Sequence, residues 1–139
     1  MTVTGPPASP VNVTVNATDA YWNLNAAAVP TVALTVTRYT ISGPVSSGGP
    51  TGTLVDGTKV ISVTLDVAGE WTVTAASTGL TSNTSSTIDI NPGAATKLQV
   101  LFPGETAAPG TDDGKTGTPG LQYGGVATYV IVNAVDTTW

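Results

Sequence analysis

Residues 13–22 read VTVNATDAYW and residues 130–139 read VIVNAVDTTW, the second segment repeating the first at an offset of 117 positions. At that offset Asn16 aligns with Asn133, Ala17 with Ala134, Asp19 with Asp136 and Trp22 with Trp139. Recurrence at a fixed period is the signature of repeat architectures, in which one unit is used many times. A period of this length suits one β-sandwich domain of roughly 100 residues. The chain is therefore expected to be a window on a tandem array, holding one whole period and the opening of the next. A unit of that kind is selected to stack, to space and to adhere rather than to catalyse.

Within the period, apolar and polar residues alternate. Val11, Val13 and Val15 interleave with Asn12, Thr14 and Asn16, the period of two that a half-buried strand requires. Residues 31–40 continue the pattern with Val32, Leu34 and Val36 on one face, and residues 59–67 with Ile61, Val63, Leu65 and Val67. Trp71, Val73 and Ala75 share a face over 71–76, and Ile88 and Ile90 are the buried positions of a strand over 84–90. A short run at 53–55 meets the 59–67 strand across Asp56-Gly57, a hairpin dipeptide. Residues 42–52 are expected to be a Gly/Pro/Ser loop. Asn91-Pro92-Gly93 stops the last strand, because proline cannot continue a central ladder. No segment carries a 3.6-residue period. The spacing of short strands and turns predicts an all-β chain, an immunoglobulin-like Greek-key β-sandwich of about seven to nine strands.

The expected organisation has three parts. Residues 1–10, with Pro6, Pro7 and Pro10, are a lead-in and a poor strand; residues 11–92 form the sandwich core; residues 93–139 open the next repeat. That last part holds apolar strands at 97–102 and 127–134 around a loop at 103–125, which is too long for a hairpin. Two apolar strands do not persist as an exposed pair. They are expected either to pack on their own domain or to be donated to a neighbouring copy. Head-to-tail donation is open rather than closed, so it would build a homo-polymer.

The run from Asp56-Gly57-Thr58-Lys59-Val60 to Ala68-Gly69-Glu70-Trp71-Thr72-Val73-Thr74-Ala75 resembles the hairpin of bacterial immunoglobulin-like repeats. These are the invasin-like and filamin-like domains of large surface proteins. Pro92-Gly93-Ala94-Ala95-Thr96-Lys97-Leu98 is similar to the junction between consecutive repeats of that class, and residues 15–23, VNATDAYWN, to its strand end. The resemblance implies neighbouring copies of the same repeat as partners and a place outside the cell.

Composition agrees with that setting. Only 9% of residues are charged, against roughly 25% in ordinary soluble domains, and Thr and Ser supply the polar surface instead. A net charge of −5 with four basic residues, Arg38, Lys59, Lys97 and Lys115, leaves no patch to neutralise phosphates and excludes nucleic acid as a partner. It equally disfavours an anionic bilayer. No apolar run approaches eighteen residues, so no membrane insertion is expected. MTVTGPPASP lacks the regions of a secretion signal, so an exported parent would carry its signal upstream or have lost it. Cysteine is absent, which leaves no disulfide framework. Asn12, Asn16 and Asn83 each open a glycosylation acceptor triplet, which becomes chemistry only in a host that glycosylates its surface proteins.

Few residues could carry chemistry. Asp19 and Asn23 stand at a strand end, where a carboxylate caps a turn or helps to hold calcium. Calcium needs six to eight oxygens, several from carboxylates, and one Asp is a thin supply. Calcium is the one cofactor considered, and the turn is the preferred reading. Asp112-Asp113 is the only acidic pair and lies in a loop; Asp66 and Glu70 flank the Ala68-Gly69 turn. Without His or Cys, Ser–His and Cys–His nucleophiles are excluded and zinc loses its usual ligands. No enzyme is expected. Lys59, Lys97 and Lys115 are the side-chain amines available for an internal Lys–Asn bond, but no signature marks a partner Asn. Trp71 is expected in the core, and Trp22 and Trp139 count as one repeated packing position. The expected role is a structural spacer or assembly unit of a surface or filament protein. The alternative is an adhesive module that recognises a glycan or protein through loops 42–52 and 103–125.

Overall fold

The computed structural model describes residues 2–3, 10–40 and 43–139. Among them every regular element is a strand. The first unit comprises β1 (Thr2–Val3), β2 (Pro10–Asn16), β3 (Thr31–Thr40), β4 (Gly43–Thr53), β5 (Thr58–Thr64), β6 (Gly69–Ala76), β7 (Asn83–Thr84) and β8 (Ile88–Ile90). The second holds β9 (Lys97–Leu101), β10 (Glu105–Ala107), β11 (Lys115–Gly117) and β12 (Ile131–Val135).

The first unit is an all-β sandwich, as its alternation requires. One sheet runs β1-β8-β6-β3-β4 with β7 added to β6, and the other pairs β2 with β5. All pairings are antiparallel except β1 on β8. The chain changes sheet between β2 and β3, between β4 and β5, and between β5 and β6. Alternate residues of each strand therefore meet in the middle. Val11, Val15, Ile61 and Val63 pack in one cluster with Val32, Leu34, Val36, Trp71, Val73, Ile88 and Ile90. Leu34, Leu54 and Leu65 are the largest fully enclosed side chains. Burying each such side chain contributes about 1.5–3 kcal/mol, which makes this cluster the main source of stability. Trp71 belongs to it, and its Nε1 donates to the Val67 carbonyl at 2.9 Å, so its polar edge is not left unsatisfied.

The Asp56-Gly57 hairpin forms as expected. Val55 bridges Thr58, with φ of 50° at Asp56 and 75° at Gly57. Both central residues are left-handed, the geometry whose twist matches the flanking strands. Gly57 is held there by a second constraint: a Cβ would collide with the Asn25 carbonyl.

The expected loop at 42–52 is instead mostly strand β4, with Ile41 and Ser42 outside the described residues. Its Gly and Pro content is accommodated because β4 is an edge strand. The register with β3 shifts between Ala33 and Thr35, which places Gly49 and Pro50 opposite Leu34 at a bulge. Proline is tolerated at edges and bulges, where no ladder donor is lost. The strand expected over 84–90 is split into β7 and β8. Ser85 lies between them, where its hydroxyl accepts the Val73 amide at 3.0 Å and its own amide donates to the Val73 carbonyl at 2.9 Å. Of the lead-in, Thr2 and Val3 do form a short strand beside Asp89 and Ile90, and residues 4–9 lie outside the described residues.

In the second unit β9 pairs with β12 from Lys97↔Val135 to Leu101↔Ile131, so the strand expected at 127–134 begins later, at Ile131. The loop at 103–125 is not structureless: β10 and β11 form a hairpin closed by a Lys115–Glu105 ion pair at 2.8 Å. This hairpin covers one face of the pair. Gln99 and Leu101 are buried, and Gln99 Nε2 donates to the Gly114 carbonyl at 2.6 Å. The other face, with Leu98, Val100 and Val132, is exposed. Arg38 joins the two units by donating to the Pro109 carbonyl at 3.0 Å.

Candidate functional site

The repeated segment folds into the same turn twice. At the end of β2, Asp19 Oδ1 accepts the backbone amides of Tyr21 at 2.8 Å and Asn23 at 3.0 Å, and Oδ2 accepts Asn23 Nδ2 at 3.0 Å. Past β12, Asp136 Oδ1 accepts the amide of Thr138 at 2.8 Å and its hydroxyl at 2.9 Å. In both turns the Trp amide donates back to the Asp carbonyl. Both Trp residues adopt the left-handed region, with φ of 67° at Trp22 and 73° at Trp139. A carboxylate two residues before its amide partner is a local device, written in short-range sequence.

The two carboxyls differ in their surroundings. The Asn23 side chain, then the Asn23 and Tyr21 amides, hold Asp19 below the usual carboxylate range while it remains in solvent. Burial pushes Asp136 upward, but the Gly93 amide at 2.8 Å, the Thr138 donors and the Lys97 ammonium outweigh it, so it too sits low.

The tryptophans differ more. Trp139 is half-buried: its ring lies against Gly114, where a Cβ would collide with it, and its Nε1 donates to the Asp112 carbonyl at 3.1 Å. Lys97 Nζ stands 4.1 Å from the ring centroid, a cation–π arrangement, and donates to the Thr137 carbonyl at 2.8 Å. Trp22, its repeat equivalent, is 72% exposed. The two turns share one backbone geometry, and the surroundings of their rings differ.

Trp22 borders a groove of about 420 Å³ along β2. Val13 and Val15 line it from β2 and Ala17 from just past it, Leu54 and Val73 from the core, and Leu80 from the loop before β7. No spacing in the sequence announces this groove. The signal that could have found it is the repeat itself, because the Gly93 amide and Lys97, which meet Asp136 and Trp139, mark where a partner segment would lie beside Asp19 and Trp22.

The other candidates stay apart. Asp19 and Asn23 meet, but every contact at the carboxylate is an N–H donor, and Asn23 turns its amide nitrogen to it, which supports a turn. Among the described residues no three acidic side chains gather at one point. Asp66, Glu70, Asp112 and Asp113 are all exposed. Asn12, Asn16 and Asn83 are exposed too; Asn16 accepts the Thr58 hydroxyl at 2.7 Å, and Asn83 lines the groove. Lys59 is exposed on β5, while Lys97 and Lys115 are engaged as described. In comparisons with known protein families, characterised proteins and solved structures, the chain matches none.

Proposed function

We propose that this chain is a structural repeat unit of an extracellular surface or filament protein, an immunoglobulin-like Greek-key sandwich that serves as a spacer or assembly unit. The observation that carries the reading is the twice-built turn, with the same carboxylate cap and the same left-handed Trp 117 residues apart. A short sequence repeat could arise by chance; reproduction of the same backbone geometry at both copies supports reading the segment as part of a reiterated unit. The Thr-rich, Lys-poor surface suits an exported protein. The reading assigns no reaction, in keeping with a sequence that has neither His nor Cys. It is preferred over an adhesive module because one of the two loops on which adhesion rested is strand β4.

Single-molecule pulling on a chain of consecutive 117-residue periods tests it. Each sandwich should rupture as one event, releasing about 40 nm of contour at ~3.6 Å per residue. A smooth extension without discrete, equal steps would overturn the reading.

A further inference from the structure

We infer that the groove beside β2 is an acceptor for a β-strand supplied by a second copy of this chain, the donor being β9 with its lead-in, residues 93–101. The inference rests on the repeat-unit reading, because it takes the pairing inside the second unit as the template for pairing between copies.

The directions of the backbone groups carry the argument. The Ala17 amide donates to the Gly57 carbonyl at 2.8 Å, continuing the β2–β5 ladder. In an extended strand successive residues aim their backbone groups to opposite edges. Val11, Val13 and Val15 thus aim at β5, whereas Thr14, Asn16 and Thr18 aim at the other edge. Among the described residues no strand pairs with that edge. In the second unit the Val135 carbonyl accepts the Thr96 amide at 2.8 Å, so Val135, Asn133 and Ile131 aim at β9. These three are the repeat equivalents of Thr18, Asn16 and Thr14. β9 therefore occupies, on β12, the edge at which β2 has no partner strand among the described residues.

Side chains and charge agree. Leu98 and Val100 lie opposite Ala134 and Val132, the equivalents of Ala17 and Val15, which line the groove. On β12 this face has nothing over it, and Leu98 is 72% exposed. On β2 the same placement would put Leu98 and Val100 against Leu54 and Val73. Lys97 would stand over the exposed face of Trp22 as it now stands over Trp139, and its charge would favour the Asp19 carboxylate as it now favours that of Asp136. The Gly93 amide would meet the Asp19 carboxylate as it now meets Asp136. Moving β9 from its own β12 to another copy's β2 exchanges ladder bonds one for one; it buries Leu98 and Val100 and gives up the cover of Gln99 and Leu101 by the β10–β11 hairpin, a loss that a free donor peptide does not incur. That is the logic of strand exchange between identical chains, and each copy would offer one donor and one acceptor in head-to-tail order.

The test uses the full chain as acceptor and a synthetic peptide of residues 92–102 as donor, followed by calorimetric titration. The peptide is expected to bind with one-to-one stoichiometry. Thr14→Pro removes an amide aimed at the groove and should weaken binding about tenfold or more, or about 1.4 kcal/mol. Asp19→Lys should weaken it as well, and a peptide carrying Lys97→Glu should regain affinity for that variant. A peptide with Leu98→Asp and Val100→Asp leaves the protein untouched and should not bind. No saturable heat at millimolar peptide, equal binding by the Asp-substituted peptide, or no preference of the Lys97→Glu peptide for Asp19→Lys would each overturn the site. Such a result leaves equal unfolding steps under force unaffected, so the acceptor site and the repeat-unit reading fail separately.

Discussion

Trp71 shows how one residue ties pattern to stability. It sits in phase with Val73, it is buried between the sheets, and its single polar atom is satisfied by Val67. Trp71→Ala removes the largest ring of the core and should cost about 3–5 kcal/mol in denaturant melts. Asp113→Ala, on an exposed loop, should fall within about 0.5 kcal/mol. Gly57→Ala tests a different cause, backbone geometry. A left-handed φ and the nearby Asn25 carbonyl both oppose a Cβ, and a loss of about 1–3 kcal/mol is expected with no apolar surface removed.

At the scale of elements, β2 has two unlike edges, and proline can tell them apart. Val13→Pro removes an amide aimed at β5 and should destabilise by about 1–3 kcal/mol, whereas Thr14→Pro, aimed away, should cost clearly less in the same melts. Edges of this kind also explain which elements were legible in the sequence. β3, β5 and β6 are sandwiched against a partner layer, so burial imposed a period of two that composition could not hide. β4 was not legible, because an edge strand with a bulge keeps Gly49 and Pro50 without penalty. The hairpin at 105–117 was missed for a similar reason: its strands are three residues each, below the length at which alternation shows. Of the candidate site, the Asp19 turn was readable because its bonds are local. The groove was not, since it is made by β2, β6 and the segment before β7 meeting across the sandwich.

For the whole molecule, acid is the informative variable. The folded chain holds Asp19, Glu105 and Asp136 below their ordinary carboxylate values, Glu105 chiefly through the Lys115 hydrogen bond and the Phe102 amide. A lowered folded value means that the stabilisation is complete above the unfolded value of about 4 and is lost as pH falls through the folded one. With no histidine to titrate nearer neutrality, thermal midpoints should be level between roughly pH 5 and 7 and decline below about pH 4. Replacing both Asp19 and Asp136 by Asn should flatten that decline. The exposed face of the second unit gives a complementary expectation. Leu98→Thr should change stability by less than about 0.5 kcal/mol, since little of the side chain is buried in the single chain.

The four basic residues all lie in strands: Arg38 in β3, Lys59 in β5, Lys97 in β9 and Lys115 in β11. Enzymes of trypsin type cut after such residues, and they favour the exposed tips of loops. Here the loops offer them no cleavage point, so digestion has to wait for a sheet to open. The two-stranded sheets of the second unit should open first, releasing cuts at Lys97 and Lys115, while Arg38 and Lys59 stay shielded until the sandwich itself gives way. The order of fragments in a limited digest would then read out the order in which the sheets come apart.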